Sequence, residues 1–273
     1  MAPPSTPVPQ PATERLLGVR IRQNSGMTIL CYHAVDPGWK SPLSMPVDGF
    51  RRHCEWLARH RAVVDLEEAA GKVDARGRLP SGLCAITFDD GLRSVFEHAL
   101  PALVDFGLPA TVFLVAATLS PETQPVDWMD ELPRGGLATL TLEQIQEMAG
   151  HGVRFGSHSY SHRDLTTLGE DECFTDLRDS KQLLEDVLGG PVPLLAYPRG
   201  LHDEAVRKAA QRAGFTHAFG TARRRPSPTR WGIPRMGVYS GDGELRLRIK
   251  SSRSYASART SGAYNALRHL SRR

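Results

Sequence analysis

Apolar and polar positions change period repeatedly along the chain. MTILCYH (27–33), LCAITF (83–88), ATVFLV (110–115), VRFGS (153–157), LLAY (194–197), THAF (216–219) and IPRMGV (233–238) are short, mostly apolar runs of strand length. Between them lie stretches of helical period. VDGFRRHCEWLARH (47–60) sets Phe50, Cys54, Leu57 and Ala58 on one face. VFEHALPALVDFG (95–107) stops at Gly107, CFTDLRDSKQLLEDVLG (173–189) stops at Gly189, and DEAVRKAAQRAG (203–214) is another such segment. Thr141 and Gln144 have the spacing of a capping box and predict a helix start that runs on to Ala149. Residues 117–139 interrupt the alternation with an excursion rich in Pro, Gly and acidic side chains. Residues 1–25 read as a disordered or loosely attached lead.

Apolar strands that alternate with helices predict a parallel sheet covered by helices, in the α/β class. Six or seven such units in about 215 residues suit a single barrel better than two small domains. The predicted barrel domain covers 26–243. A basic tail, partly helical, covers 244–273.

Composition adds two points. Hydrophobic residues make up 40% of the 273, enough for a sizeable core. The net charge of +4 is unevenly placed: residues 245–273 hold eight Lys/Arg and no acid, which leaves 26 basic against 30 acidic residues elsewhere. Such a tail predicts a solvated face or weak contact with an anionic membrane surface. No aromatic-rich basic patch points to nucleic acid. None of Cys31, Cys54, Cys84 and Cys173 forms a C-x-x-C pair. Cys31 and Cys84 sit in apolar runs, as buried free thiols of a reducing compartment do. MAPPSTPVPQPATERLL lacks an apolar signal region, and no window approaches the ~18 apolar residues of a membrane span, so the expectation is a cytoplasmic protein. Oligomeric state is not legible.

In parallel barrels chemistry gathers where strands end. Those ends carry His33, then Asp89 and Asp90 of TFDDG, then His158 and His162 of HSYSH, then the YPRG turn at 197–200, with Arg235 inside the last strand. Adjacent carboxylates at a frayed strand end can aim at different targets, one at a metal and one left free as a base. Two imidazoles four residues apart, with a carboxylate, make a three-ligand set with a position open. Zn²⁺ suits it, and so do Co²⁺, Ni²⁺ and Fe²⁺. His53, His60, His98, His151, His217 and His269 read as structural or surface residues.

TFDDG, HSYSH and the Y-P-x-G turn, in this order, resemble the polysaccharide deacetylase family, carbohydrate esterase family four, over roughly 27–240. The opening YH, the turn and the late PR are similar to its exopolysaccharide deacetylase branch. The resemblance implies a distorted (β/α) barrel of about seven strands. It also implies an N-acetylated carbohydrate substrate and a divalent metal. By position it implies Asp89 as general base, Asp90, His158 and His162 as metal ligands, and the turn of Tyr197, Pro198 and Arg199 as the source of an oxyanion-binding N–H. Two departures stand out. Many members carry an arginine two residues before the turn proline, where this chain has Ala196; Arg235 is the candidate replacement. Many carry a late Leu-x-His acid, and the one histidine after residue 220 is His269 in the tail. His33 is therefore the candidate acid. Residues 117–139 are the expected specificity loop, with Trp128 as a candidate sugar-stacking ring. Competing expectations are an O-acetyl esterase, a deformylase or amidohydrolase on a small sugar-linked substrate, a His₂-carboxylate iron oxygenase, and a catalytically silent carbohydrate-binding relative.

Overall fold

A computed structural model describes residues 27–72, 82–129, 131–221, 229–252 and residue 255. The expected lead at 1–25 and most of the tail beyond 252, with His269, lie outside the described residues.

Seven parallel strands close into a barrel: β1 (Thr28–Tyr32), β5 (Leu83–Phe88), β6 (Ala110–Leu114), β7 (Arg154–Ser157), β8 (Leu194–Ala196), β9 (His217–Thr221) and β10 (Ile233–Gly237). Neighbours follow chain order from β5 to β10. β1 closes the ring by pairing with β10 (Leu30 opposite Met236) and with β5 (Leu30 opposite Ile86). The edge strand β4 (Ala62–Val63) adds to the start of β5, and β2 (Ala34–Val35) pairs with β3 (Ser44–Met45) outside the barrel.

The helices cover the outside. They are α1 (Val47–His60), α2 (Leu66–Ala70), α3 (Leu100–Phe106), α4 (Leu142–Gly150), α5 (Glu170–Leu188), α6 (Glu204–Arg212) and α7 (Glu244–Lys250). α1 begins and ends where its periodicity predicts. Its buried side is Phe50, His53, Cys54, Trp56 and Leu57, while Ala58 is exposed, a correction to the predicted face. Both hydrogen bonds of the Thr141–Gln144 capping box form at α4. The segment before α3 departs from a plain helix: Val95–Ala99 is a wide π-helical turn. Pro101 explains it, because proline has no N–H to donate to the preceding turn and its ring crowds the carbonyl there. Gly107 and Gly189 end α3 and α5 in left-handed conformation, as predicted. No helix among the described residues is long and apolar enough to cross a membrane.

Strand parity divides the core. Ile29, Ala85, Phe113, Leu194, Ala196, Phe219 and Ile233 come from six different strands and fill the barrel, with Leu66, Ala69 and Ala70 of α2 packed against them. Their neighbours Leu30, Tyr32, Ile86, Phe88 and Val112 point outward to the helices. All four cysteines are free and buried.

Candidate metal centre and base

Strand β5 delivers both carboxylates to the barrel mouth. Ala85, Thr87 and Asp89 share the inward parity. Asp90 has the next, outward parity, and the backbone turns it back: its φ is 72°, followed by Gly91 at 63°. A left-handed aspartate is strained, and so would be any side chain at Gly91, whose Cβ would also lie 2.8 Å from Leu114 Cδ2 and force that leucine to shift.

Asp90 Oδ1 lies 3.1 Å from His162 Nε2 and 3.6 Å from His158 Nε2. Ligand atoms of the three residues all fall within 4.8 Å of one another, and all three are buried. HSYSH is held as a loop. His158 donates its N–H to Leu114 O at 2.8 Å, and Ser159 and His162 take φ of 69° and 56°. Asp176 of α5 accepts from the Tyr160 N–H at 2.9 Å and from the Ser161 hydroxyl at 2.6 Å. His158 Nδ1 donates to the Ala196 carbonyl at 2.8 Å, which leaves the Nε2 lone pair facing Asp90.

The donor set fits a divalent metal. Nitrogen and oxygen ligands on one tetrahedral ion sit about 3.4 Å apart, from bond lengths of about 2.0–2.2 Å. The separations of 3.1 and 3.6 Å bracket that value. The lone pair of His158 is aimed by its carbonyl partner. Burial holds the His158 imidazolium down to about 4, so the ring is a neutral ligand at ordinary pH. Burial disfavours the Asp90 carboxylate as well, yet the His162 hydrogen bond and the nearby imidazoles hold its pKa below the ordinary range.

Asp89 is not one of these three: its Oδ2 lies 3.9 Å from His158 Nε2, but both its oxygens are engaged by an arginine. Arg235, fully buried on β10, donates Nη1–H to Oδ1 at 2.6 Å and Nη2–H to Oδ2 at 2.7 Å. Such a fork is the strongest ion-pair geometry available to a carboxylate. The Arg235 guanidinium also lies over the Phe113 ring, 5.1 Å from its centre. Burial alone raises an Asp carboxyl, but Arg235 outweighs it and holds Asp89 far below the carboxylate range. Cys31 Sγ donates to Asp89 Oδ2 at 3.3 Å, and burial pushes this thiol well up. His33 stands at the end of β1, half-buried, with a buried Nδ1 that has no hydrogen-bond partner among the described residues.

The remaining candidates divide. Trp128 donates Nε1–H to Asp90 Oδ1 at 3.2 Å, and its ring stacks on His162 at 5.1 Å. The excursion that carries it is pinned by bridges Leu92–Thr139 and Pro125–Ala138. Pro198 and Arg199 form a tight turn with Arg199 at φ 57°, and no described residue accepts the Arg199 N–H. The Tyr197 side chain lies elsewhere. Outward parity packs it with Leu177 and Val206, and its hydroxyl donates to the Trp231 carbonyl at 3.0 Å. Its N–H donates to Phe219 O at 2.9 Å, so Tyr197 offers the turn no free N–H, and its ring braces the turn from outside. Sequence reasoning missed Asp176 and Cys31. Cys31 was legible in principle, since it shares the parity of His33.

A protein-family profile for polysaccharide deacetylase matches residues 76–218, more than half of the chain. The chain belongs to the polysaccharide deacetylase family. The matched span includes Asp89, Asp90, His158, His162 and Pro198, and leaves out His33 and Arg235. Bacillus subtilis (strain 168) YxkH is 28% identical over 198 residues, 72% of this chain and 65% of that protein. The poly-beta-1,6-N-acetyl-D-glucosamine N-deacetylase of Staphylococcus epidermidis is 24% identical over 200 residues, 69% of this chain and 66% of that enzyme. The chain therefore spans about two thirds of the length of these relatives. Among solved structures, the Streptococcus pyogenes deacetylase PplD in complex with acetate superposes with a TM-score of 0.69 at 22% identity, covering 83% of this chain and 98% of that one. IcaB from Ammonifex degensii superposes at 0.64 with 23% identity, covering 88% and 99%. These two likenesses concern the fold.

Proposed function

We propose that the chain is a metal-dependent hydrolase that removes N-acetyl groups from an amino sugar of a polysaccharide, oligosaccharide or biosynthetic glycoconjugate. The observation that carries this reading is the division of labour between adjacent carboxylates. Asp90 groups with His158 and His162, while Asp89 is gripped on both oxygens by Arg235 and stays outside the set. Family membership and the named activity of the Staphylococcus epidermidis relative support an N-acetylated glucosamine polymer as the substrate class.

Asp90, His158 and His162 would hold the metal, Zn²⁺ first among Zn²⁺, Co²⁺, Ni²⁺ and Fe²⁺. When bound, a divalent cation supplies Lewis acidity, which polarises the acetyl carbonyl and acidifies the attacking water. Asp89 takes the water's proton. A carboxylate held this low is a weak base by itself, so the reading requires the Lewis acid as well. Arg235 fixes the plane of that carboxylate and keeps it ionised. The unengaged Arg199 N–H donates to the oxyanion of the tetrahedral intermediate. His33 gives a proton to the leaving amine, and acetate and the free amino sugar depart.

The test is acetate release from N-acetylglucosamine oligomers by protein loaded with Zn²⁺, Co²⁺ or Ni²⁺. Asp89→Asn should lose about 10²–10⁴-fold in turnover and keep its metal. Unchanged turnover in that variant would overturn the base assignment. Metal binding without acetate release from any N-acetyl oligomer would overturn the substrate class and turn attention to O-acetyl or formyl groups.

A further inference from the structure

Two groups of potential metal ligands occur among the described residues, and Asp90, His158 and His162 are the first. The second is Cys31, His33 and Asp89, whose ligand atoms also lie within 4.8 Å of one another. We propose that these three residues form a second, weaker, thiolate-containing metal site, and that a soft divalent ion there inhibits the enzyme.

Cys31 on β1 and His33 just past its end share the inward parity that brings them to Asp89, which follows the paired strand β5. Cys31 Sγ is 3.3 Å from Asp89 Oδ2. A sulfur and an oxygen on one tetrahedral zinc sit about 3.6 Å apart, from Zn–S near 2.3 Å and Zn–O near 2.1 Å. The thiol and the carboxylate therefore already stand at the separation of two ligands. His33 supplies the imidazole, one nitrogen of which falls within this group, and its Nδ1 is buried and has no hydrogen-bond partner among the described residues. Arg235 occupies one side of Asp89, but a carboxylate has about four lone-pair positions, and the one facing Cys31 carries only the thiol hydrogen.

Binding replaces that hydrogen. The S–H bond breaks, its proton leaves to solvent, and sulfur–metal and oxygen–metal bonds form, with no change in oxidation state. The ligand types select Zn²⁺, Cd²⁺ or Co²⁺ over Mg²⁺ or Ca²⁺, because thiolate and imidazole are soft donors. The Arg235 cation opposes the incoming charge, which makes this site weaker than the Asp90 set. Inhibition rests on the roles of Asp89 and His33 proposed above: an ion here takes the lone pairs that a base and an acid need. Occupancy does not rest on those roles.

Co²⁺ titration of the metal-free full-length protein, followed by absorbance and bound-metal analysis, tests the site. The expected result is two equivalents, one of which brings a near-ultraviolet sulfur-to-cobalt charge-transfer band. Cys31→Ser should lose that band and one equivalent and keep the other. His33→Gln should keep the band while weakening that equivalent at least about tenfold. In turnover assays excess Zn²⁺ should inhibit the wild type, and Cys31→Ser should lose the inhibitory limb. Saturation at one equivalent without the band, or a band that survives Cys31→Ser, overturns the site. A filled second site without inhibition overturns its effect. If no N-acetyl substrate is turned over at all, the function fails while the band and the second equivalent still report on the site.

Discussion

Arg235 is the residue on which the proposed base depends most. It is fully buried, and both of its terminal nitrogens go to one carboxylate. Arg235→Met leaves Asp89 as a buried carboxylate without its cation, a defect that costs about 3–5 kcal/mol. With the cation gone, burial dominates and raises the Asp89 carboxyl. The acidic limb of the pH–rate profile should then move to higher pH, which a profile beside a urea melt measures; a limb that stays put in a folded variant refutes the clamp. Trp128 acts on the neighbouring carboxylate. Trp128→Phe keeps a ring against His162 and removes the N–H donated to Asp90. Metal affinity should fall about 10–100-fold, read by chelator competition, and an unchanged affinity would make the indole a packing group only.

Elements set how closely these residues can approach. Gly200 has φ 67°, and a Cβ there would lie 2.3 Å from Thr221 Cγ2 and 2.6 Å from the Thr221 backbone nitrogen. Gly200→Ala should therefore destabilise by about 3 kcal/mol and displace the adjacent Arg199 N–H, seen as a lower urea midpoint together with a lower kcat. Long periodic segments were legible in the sequence: α1 and β5 occupy the predicted residues, because amphipathic period and apolar run length leave no alternative there. Short elements were not. β4 has two residues and α2 has five, too few to display a period, although α2 packs three side chains into the barrel core. The grouping of Asp90, His158 and His162 was legible from residue type at strand ends. The site was not legible at Asp176, whose partners are loop N–H and hydroxyl groups that only the folded chain brings near.

The closed barrel joins residues that are remote along the chain. Arg235 and Asp89 stand 146 positions apart, and they meet because β1 pairs with both β5 and β10. Burial at both ends of the barrel also makes the metal-free protein sensitive to acid. His158 is held down to about 4, and His217 on β9 equally, both chiefly by burial. Their unfolded value is about 6.5, so above that pH they contribute no difference between folded and unfolded chains. As pH falls from about 6.5 toward 4 the unfolded state binds protons that the folded state refuses, and stability drops, by up to about 3 kcal/mol for His158. Asp89 has the opposite sign: its contribution persists through that window and is lost only below the ordinary carboxylate value. Urea midpoints of metal-free protein at about pH 7 and about pH 4.5 measure the fall, and equal midpoints would contradict it.

The four non-glycine residues with left-handed backbone among those described are Asp90, Ser159, His162 and Arg199: two are proposed metal ligands, one lies between the two histidines, and one supplies the proposed oxyanion N–H. Each costs of order 1 kcal/mol or more that a glycine would not. A screen that rewards thermal endurance alone should therefore drift toward glycine at 90, 159, 162 and 199. It would return a hardier barrel from which the chemistry has been erased.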